Sequence, residues 1–214
     1  MTKRKPALII VAGPNGSGKT TITKELLEHE WLTNATYINA DEIAQNQFGD
    51  WNSYEAVRQA AELADSLRHQ YIAAGRDFAY ETVFSTDKRV DDIRKAKDAG
   101  YFVRFFFVAT NDPQINVERV ARRVSHGGHD VPTDRIIARY HRSMQRARQA
   151  LKLVDRGYVI DNSQTDRDYE FMFRTTSGII AKVYQDNMPT WARELANSVT
   201  PRPLPTNGYD PEPT

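Results

Sequence analysis

Apolar residues come along this chain in short unbroken runs, separated by longer stretches in which they recur every three or four positions. The runs at 7–12, 35–39, 78–83, 101–109 and 157–160 read as strands, and the periodic segments between them as helices. Strands alternating with helices predict an α/β fold, a parallel sheet covered by helices on both faces. The two longest helical patterns are 53–74, closed by Gly75, and 133–155, with Thr133 as a candidate N-cap. Past the last parallel strand, 169–174 and 178–184 predict a short hairpin at a sheet edge, and Pro189 marks the first turn of a small helix. The segment TPRPLPTNGYDPEPT, 200–214, is rich in proline and predicts a disordered tail. The pattern therefore predicts one domain over 1–199 followed by that tail, without an internal repeat.

The first strand runs into AGPNGSGKTT, residues 12–21. Gly13 to Thr20 fit G-x-x-x-x-G-K-[ST], and the required context of strand before and helix after is present. Glycine at 13, 16 and 18 lets successive N–H groups turn inward around an anion at a helix N-terminus. The expected nucleotide-binding set is Gly13, Pro14, Asn15, Gly16, Ser17, Gly18, Lys19, Thr20 and Thr21. Lys19 would reach the β- and γ-phosphates of ATP, and Thr20 would give its hydroxyl to Mg²⁺, a hard cation that takes its other ligands from phosphate and water.

Composition sets the surroundings of that chemistry. Lys+Arg 29 against Asp+Glu 28 gives a formal charge of +1, so no global basic field draws in nucleic acid. Cysteine is absent, which excludes disulfides and cysteine metal ligands and fits a reducing compartment. The basic start Thr2-Lys3-Arg4-Lys5 precedes an apolar run too short for a signal peptide or a membrane span, so a soluble, cytoplasmic protein is expected.

A phosphate-binding loop alone leaves the acceptor open, and three other segments address it. Asp41 follows directly on the strand end Tyr37-Ile38-Asn39, where parallel sheets gather their ligands, so it could take a proton from an acceptor hydroxyl; it could equally cap a helix beginning at Glu42. Glu81 and Thr82 interrupt an apolar strand. A carboxylate there is expected to face a cleft, or else to be paired with a basic neighbour, because an unpaired buried charge is costly. In 119–140, Arg119, Arg123 and Arg139 lie on both sides of the turn His126-Gly127-Gly128-His129-Asp130-Val131-Pro132, as a mobile lid carrying charge to a transferring phosphoryl group would require. Arg142, Arg146, Arg148 and Lys152 read as a solvated face. His126 and His129 lack a third ligand and read as turn residues.

Taken in order, GPNGSGKTT, INADEIA, YETVFST, ERVARRVSHGGHDVP, IIARYHRSM and YVIDNS resemble the zeta-toxin family of P-loop kinases in a short form, over roughly residues 7 to 163. That family phosphorylates the 3′-hydroxyl of the amino sugar in UDP-N-acetylglucosamine, using ATP and Mg²⁺, and many members are toxins held by an antitoxin. The resemblance implies that Lys19 and Thr20 hold ATP and Mg²⁺, that Asp41 is the base, and that Arg123 and Arg139 clamp phosphate. It also implies that Asn162 lies near the adenine and that Glu81, Thr82 and Arg119 belong to the substrate side. Tyr158-Val159-Ile160-Asp161 imitates a metal-binding strand end, but its place in the order gives Asp161 no metal role. No antitoxin segment precedes the loop, so any inhibitor is expected to be a separate protein. The parts of the family that contact uridine and diphosphate have no matching stretch here. A kinase for another small-molecule or polynucleotide hydroxyl, and an ATP-binding regulatory module without phosphotransfer, remain as alternative readings.

Overall fold

The structure, a computed structural model, describes residues 4–29, 35–48, 53–128, 130–164 and 167–200. Its first strand, β1 (Ala7–Ala12), is buried along its whole length. The chain then makes α1 (Lys19–Leu27), β2 (Thr36–Ile38), α2 (Ala40–Phe48), α3 (Tyr54–Ala74), β3 (Phe78–Thr82), α4 (Asp87–Asp98) and β4 (Phe102–Ala109). It continues through α5 (Pro113–Ser125), α6 (Thr133–Leu153), β5 (Arg156–Asp161), β6 (Glu170–Thr176), β7 (Ile179–Val183) and α7 (Thr190–Ser198).

The seven strands form one sheet in the order β2-β3-β1-β4-β5-β6-β7. The first five run parallel, and β6 and β7 continue the sheet as an antiparallel hairpin at its edge, as the sequence predicts. Strand alternation sends Leu8, Ile10, Phe105 and Phe107 into a large core beneath one face, shared with Met144 of α6 and Trp191 of α7. Ile9, Val11, Phe106 and Val108 point the other way, into a smaller core closed by Ile22 of α1. A strand with apolar residues at every position is what a sheet covered on both faces demands. A third, small cluster of Val120, Val131 and Ile136 lies where α5 and α6 meet.

Register decides what reaches the upper rim. Val11 and Ala12 pair with Glu81 and Thr82, and Ala109 pairs with Asp161, so the polar residues that end β3 and β5 emerge level with the loop after β1. That loop lies between β3 on one side and β4 on the other, the kind of reversal in strand order where open α/β sheets bind ligands.

The start of α6 differs from expectation. Thr133 is the first helical residue of α6 rather than its cap; Pro132 holds the cap position with no side-chain hydrogen bond, its fixed φ setting the entry of the chain. The proline-rich segment is described only at Thr200, which makes an isolated bridge to Ile179 of β7 and accepts from the Ile180 N–H; 201–214 lie outside the described residues.

Candidate active site

The loop after β1 is shaped by what presses on it. Gly16 and Gly18 hold left-handed φ angles of 74° and 90°. A Cβ on Gly16 would strike the backbone of Asn116 in α5, and one on Gly18 would strike the Asn162 side chain just past β5. Glycine is thus required twice over, by dihedral and by close approach. Ser17 is fully buried, and its carbonyl accepts from Asn162 Nδ2 at 2.9 Å. Asn116, also fully buried, donates from Nδ2 to the Asn15 carbonyl at 2.6 Å and accepts from Thr110 Oγ1 on its other side. Asn116 is a functional residue that sequence reading missed. Its signal was present: it lies on the apolar face of α5, one turn before Val120.

The loop opens on a cavity of about 710 Å³ lined by residues from both ends of the chain's first 140 positions. Lys19 is only 8 % exposed, and its ammonium donates to the Pro14 carbonyl at 2.9 Å. Burial lowers its pKa; Glu81 and Asp41 oppose that, while Arg123 and Arg139 add to it. Four side chains from four elements therefore feel one ammonium, which is the arrangement expected of a site where charge moves. Thr20 Oγ1 lies 3.3 Å from Glu81 Oε1, and Thr23 Oγ1 donates to Glu81 Oε2 at 2.9 Å. A hydroxyl and a carboxylate together at the head of α1 are the hard oxygen donors that Mg²⁺ takes, so the residues present fit that ion. Thr21 points away on the exposed face of α1.

Asp41 is exposed, in the first turn of α2, and lines the cavity. It does not cap that helix. The helix begins at Ala40, and Asn39 Oδ1 accepts the Asp41 N–H at 2.9 Å, so the capping role belongs to Asn39 and the Asp41 carboxylate is left to the cavity. Glu81 also lines the cavity, with Thr20 and Thr23 of α1 rather than a basic side chain as its hydrogen-bond partners among the described residues. Thr82 accepts from the Phe84 N–H at 3.1 Å, holding a bend in which Phe84 takes a φ of 57°.

The arginines divide. Arg139, half-buried in α6, donates to Asn15 Oδ1 at 3.3 Å; burial lowers its pKa, with Arg135 and Arg142 adding to the effect. Arg123 lines the same cavity from α5. Arg119, one turn earlier, donates to the carbonyls of Asn162 and Gln164 at 2.7 and 2.9 Å, so it fastens α5 to the segment after β5 while still lining the cavity. Outside the cavity, Arg146 pairs with Asp87 and Arg148 with Glu194; the Arg146 side chain is only 19 % exposed, so it is packed and ion-paired rather than part of the solvated face expected for it. Asp161 accepts from Ser163 Oγ at 2.6 Å and from Trp191 Nε1 at 3.3 Å, which ties α7 to the sheet. His126 closes α5, its Nδ1 2.8 Å from the Arg122 carbonyl; His129 lies outside the described residues. Among the described residues, no helix is long and apolar enough to cross a membrane.

Comparison with known proteins places this architecture. The sequence profile of the zeta-toxin family matches residues 1–172. An uncharacterized protein of Haemophilus influenzae is 30 % identical over 132 residues, which is 62 % of this chain and 91 % of that protein. Among solved structures, one from the PezAT chromosomal toxin–antitoxin system of Streptococcus pneumoniae superposes with a TM-score of 0.58 at 19 % identity, covering 94 % of this chain and 80 % of that one. The AvrRxo1-ORF1:-ORF2 structure with ATP superposes with a TM-score of 0.58 at 15 % identity, covering 96 % of this chain and 66 % of the other.

Proposed function

The chain belongs to the zeta-toxin family, and on that premise we propose that it is an ATP-dependent kinase whose acceptor is a sugar hydroxyl, the 3′-hydroxyl of the amino sugar of UDP-N-acetylglucosamine. The observation that carries the reading is the convergence of Asp41, Glu81, Arg123 and Arg139 on Lys19 at the mouth of the phosphate loop. Simple nucleotide binding needs none of those four.

The loop N–H groups and Lys19 hold the β- and γ-phosphates. Thr20, with Glu81 behind it, would hold Mg²⁺, which when bound would neutralise charge on the phosphate oxygens. Asp41 takes the acceptor proton as the oxygen–phosphorus bond forms and the bond to the ADP oxygen breaks. Arg139, already against Asn15, and Arg123 then meet charge that grows on the leaving oxygens. Thr82 and Arg119 flank the acceptor, and Asn162, fastened to Ser17, lies on the adenine side.

A separate antitoxin protein is the proposed partner, supported by the toxin–antitoxin origin of one structural relative. The test offers radiolabelled ATP and Mg²⁺ with UDP-N-acetylglucosamine, free sugars or a 5′-hydroxyl oligonucleotide. Label on the 3′-hydroxyl of the nucleotide sugar is expected. Label on another acceptor replaces the substrate, and ATP left untouched with every acceptor returns the protein to a binding module.

A further inference from the structure

Asp41 is carried on a lightly held helix. Among the described residues α2 buries one side chain, Ala44, and the strand that leads into it, β2, is three residues long and lies at the edge of the sheet. A general base must stay within hydrogen-bond reach of the proton it takes. Packing gives α2 little with which to hold that position against the phosphate end.

Tyr37 lies where a tie is needed. Tyr37 and Asn39, two apart at the end of β2, project to the same side. Asn39 Nδ2 donates to the Tyr37 hydroxyl at 3.3 Å and to Glu42 Oε1 at 3.2 Å, while Asn39 Oδ1 accepts the Asp41 N–H at 2.9 Å. One asparagine thus sets the first turn of α2 and fastens it to Tyr37. On its other side the Tyr37 hydroxyl is in hydrogen-bond contact with Thr23 of α1, which is only 4 % exposed. Thr23 Oγ1 donates to Glu81 Oε2 at 2.9 Å, and Glu81 Oε1 lies 3.3 Å from Thr20 Oγ1. A continuous chain, Asn39, Tyr37, Thr23, Glu81, Thr20, therefore runs from the cap of the base-bearing helix to the metal end of the loop.

The chain has a direction. Asn39 donates into Tyr37 and Thr23 donates into Glu81, so the Tyr37 proton is left for Thr23 Oγ1, and every bond points towards the carboxylate. Tyr37 keeps that proton: burial raises its pKa, the charges of Glu81, Glu42 and Asp41 push the same way, and Thr23 opposes them. The three carboxylates belong to β3 and α2, two of the elements that the hydroxyl joins.

We propose that Tyr37 is a positioning residue for the transfer, whose hydroxyl ties the helix carrying Asp41 to Glu81 and Thr20 and so sets the distance between the base and the metal end. Tyr37 does not line the main cavity and acts through the residues it holds. Its effect on rate rests on the phosphotransfer reading, whereas its effect on α2 rests on the hydrogen bonds alone.

Tyr37→Phe removes the hydroxyl and keeps the ring. Its kcat is expected to fall about ten- to a hundredfold, the cost of a misplaced reacting group, with the KM for ATP and the thermal melt close to wild type. In an Asp41→Asn background the same change should cost nothing further, because no base is left to position. Unchanged kcat in Tyr37→Phe, or the same factor lost with and without Asp41, overturns the role, since a purely structural defect acts in both backgrounds. Should Tyr37→Phe fail to fold, Thr23 decides from the other side of the chain. Thr23→Val keeps the shape without the hydroxyl and should lower kcat similarly, while Thr23→Ser keeps the hydroxyl and should stay near wild type; equal loss in both overturns the role. Amide exchange reads the tie without turnover. In Tyr37→Phe the α2 amides should exchange roughly five- to tenfold faster, the equivalent of one net hydrogen bond, with those of β1 unchanged; α2 exchange that stays at the wild-type rate overturns the tie. Faster α2 exchange in Tyr37→Phe, together with a wild type that phosphorylates no acceptor, keeps the tie and removes the kinase reading.

Discussion

The two ends of the cavity are assembled differently. At the phosphate end, eight consecutive residues, Gly13 to Thr20, provide backbone, ammonium and hydroxyl from one turn of chain. At the other, convergent end, Asp41, Glu81, Arg123 and Arg139 come from α2, β3, α5 and α6 and meet only because the sheet register and the α5–α6 packing bring them together. The first end is a local device and the second a tertiary one. The joint between them is visible: Asn116 binds the loop at Asn15 from α5, and Arg139 reaches the same asparagine from α6.

Lys19→Ala should show how completely the convergent end depends on the phosphate end. Losing charge compensation on the transferring group is expected to cost on the order of 10³- to 10⁵-fold in kcat. Stability should hold, since among the described residues the buried ammonium has only the Pro14 carbonyl as a hydrogen-bond partner, and burial already lowers its pKa. Turnover assays alongside thermal melts check both. Asp41→Asn probes the other end alone. Because Asn39 is the cap, the melt should be unchanged while kcat falls about 10²- to 10⁴-fold, the usual share of a general base. A matching loss of stability would return Asp41 to a structural role.

Arg139→Ala and Arg123→Ala should each lower kcat about 10²- to 10³-fold with little change in the KM for ATP. Lysine at 139 should not restore it, since a point charge cannot replace a planar fork. A change in KM alone would move the arginines to ground-state binding. Asn116→Leu breaks the joint while leaving every charge in place. It strands the Asn15 carbonyl, while the Thr110 hydroxyl keeps the Asp112 carbonyl at 3.1 Å as acceptor, so a destabilisation of about 1–3 kcal/mol is expected by denaturant titration, with a higher KM for ATP. Thr133→Ala is expected to change stability by less than about 0.5 kcal/mol, because Thr133 is exposed and caps nothing.

The same contrast explains what could be read from the sequence. The phosphate loop was legible because its evidence is contiguous: glycines, lysine and threonine at fixed offsets behind an apolar strand. Glu81 was legible as a polar break in such a strand, but its partners Thr20 and Thr23 depend on register and were not. The sequence offers Asp41 as a cap for a helix beginning at Glu42 as well as a base, because Asn39 and Asp41 are both good caps two residues apart and only the backbone decides between them. Asn116 stood on the buried face of a helix, where a polar residue is out of place. It was legible as an anomaly without showing its partner, since hydrogen bonding across elements leaves no local pattern.

The small cluster of Val120, Val131 and Ile136 gives the tip of the α5–α6 pair an interior of its own, separate from the two cores of the sheet. Asn116 and Tyr140, whose hydroxyl donates to the Thr110 carbonyl at 2.5 Å, anchor the base of that tip to the body. A unit with its own interior can open without unfolding the rest, so amide protons beyond these two anchors should exchange through a local event while those of β1 and β4 wait for global unfolding. Amide exchange along this one hairpin of helices would then change pace at Asn116 and Tyr140, so that the hinge is located by a clock rather than by a displacement.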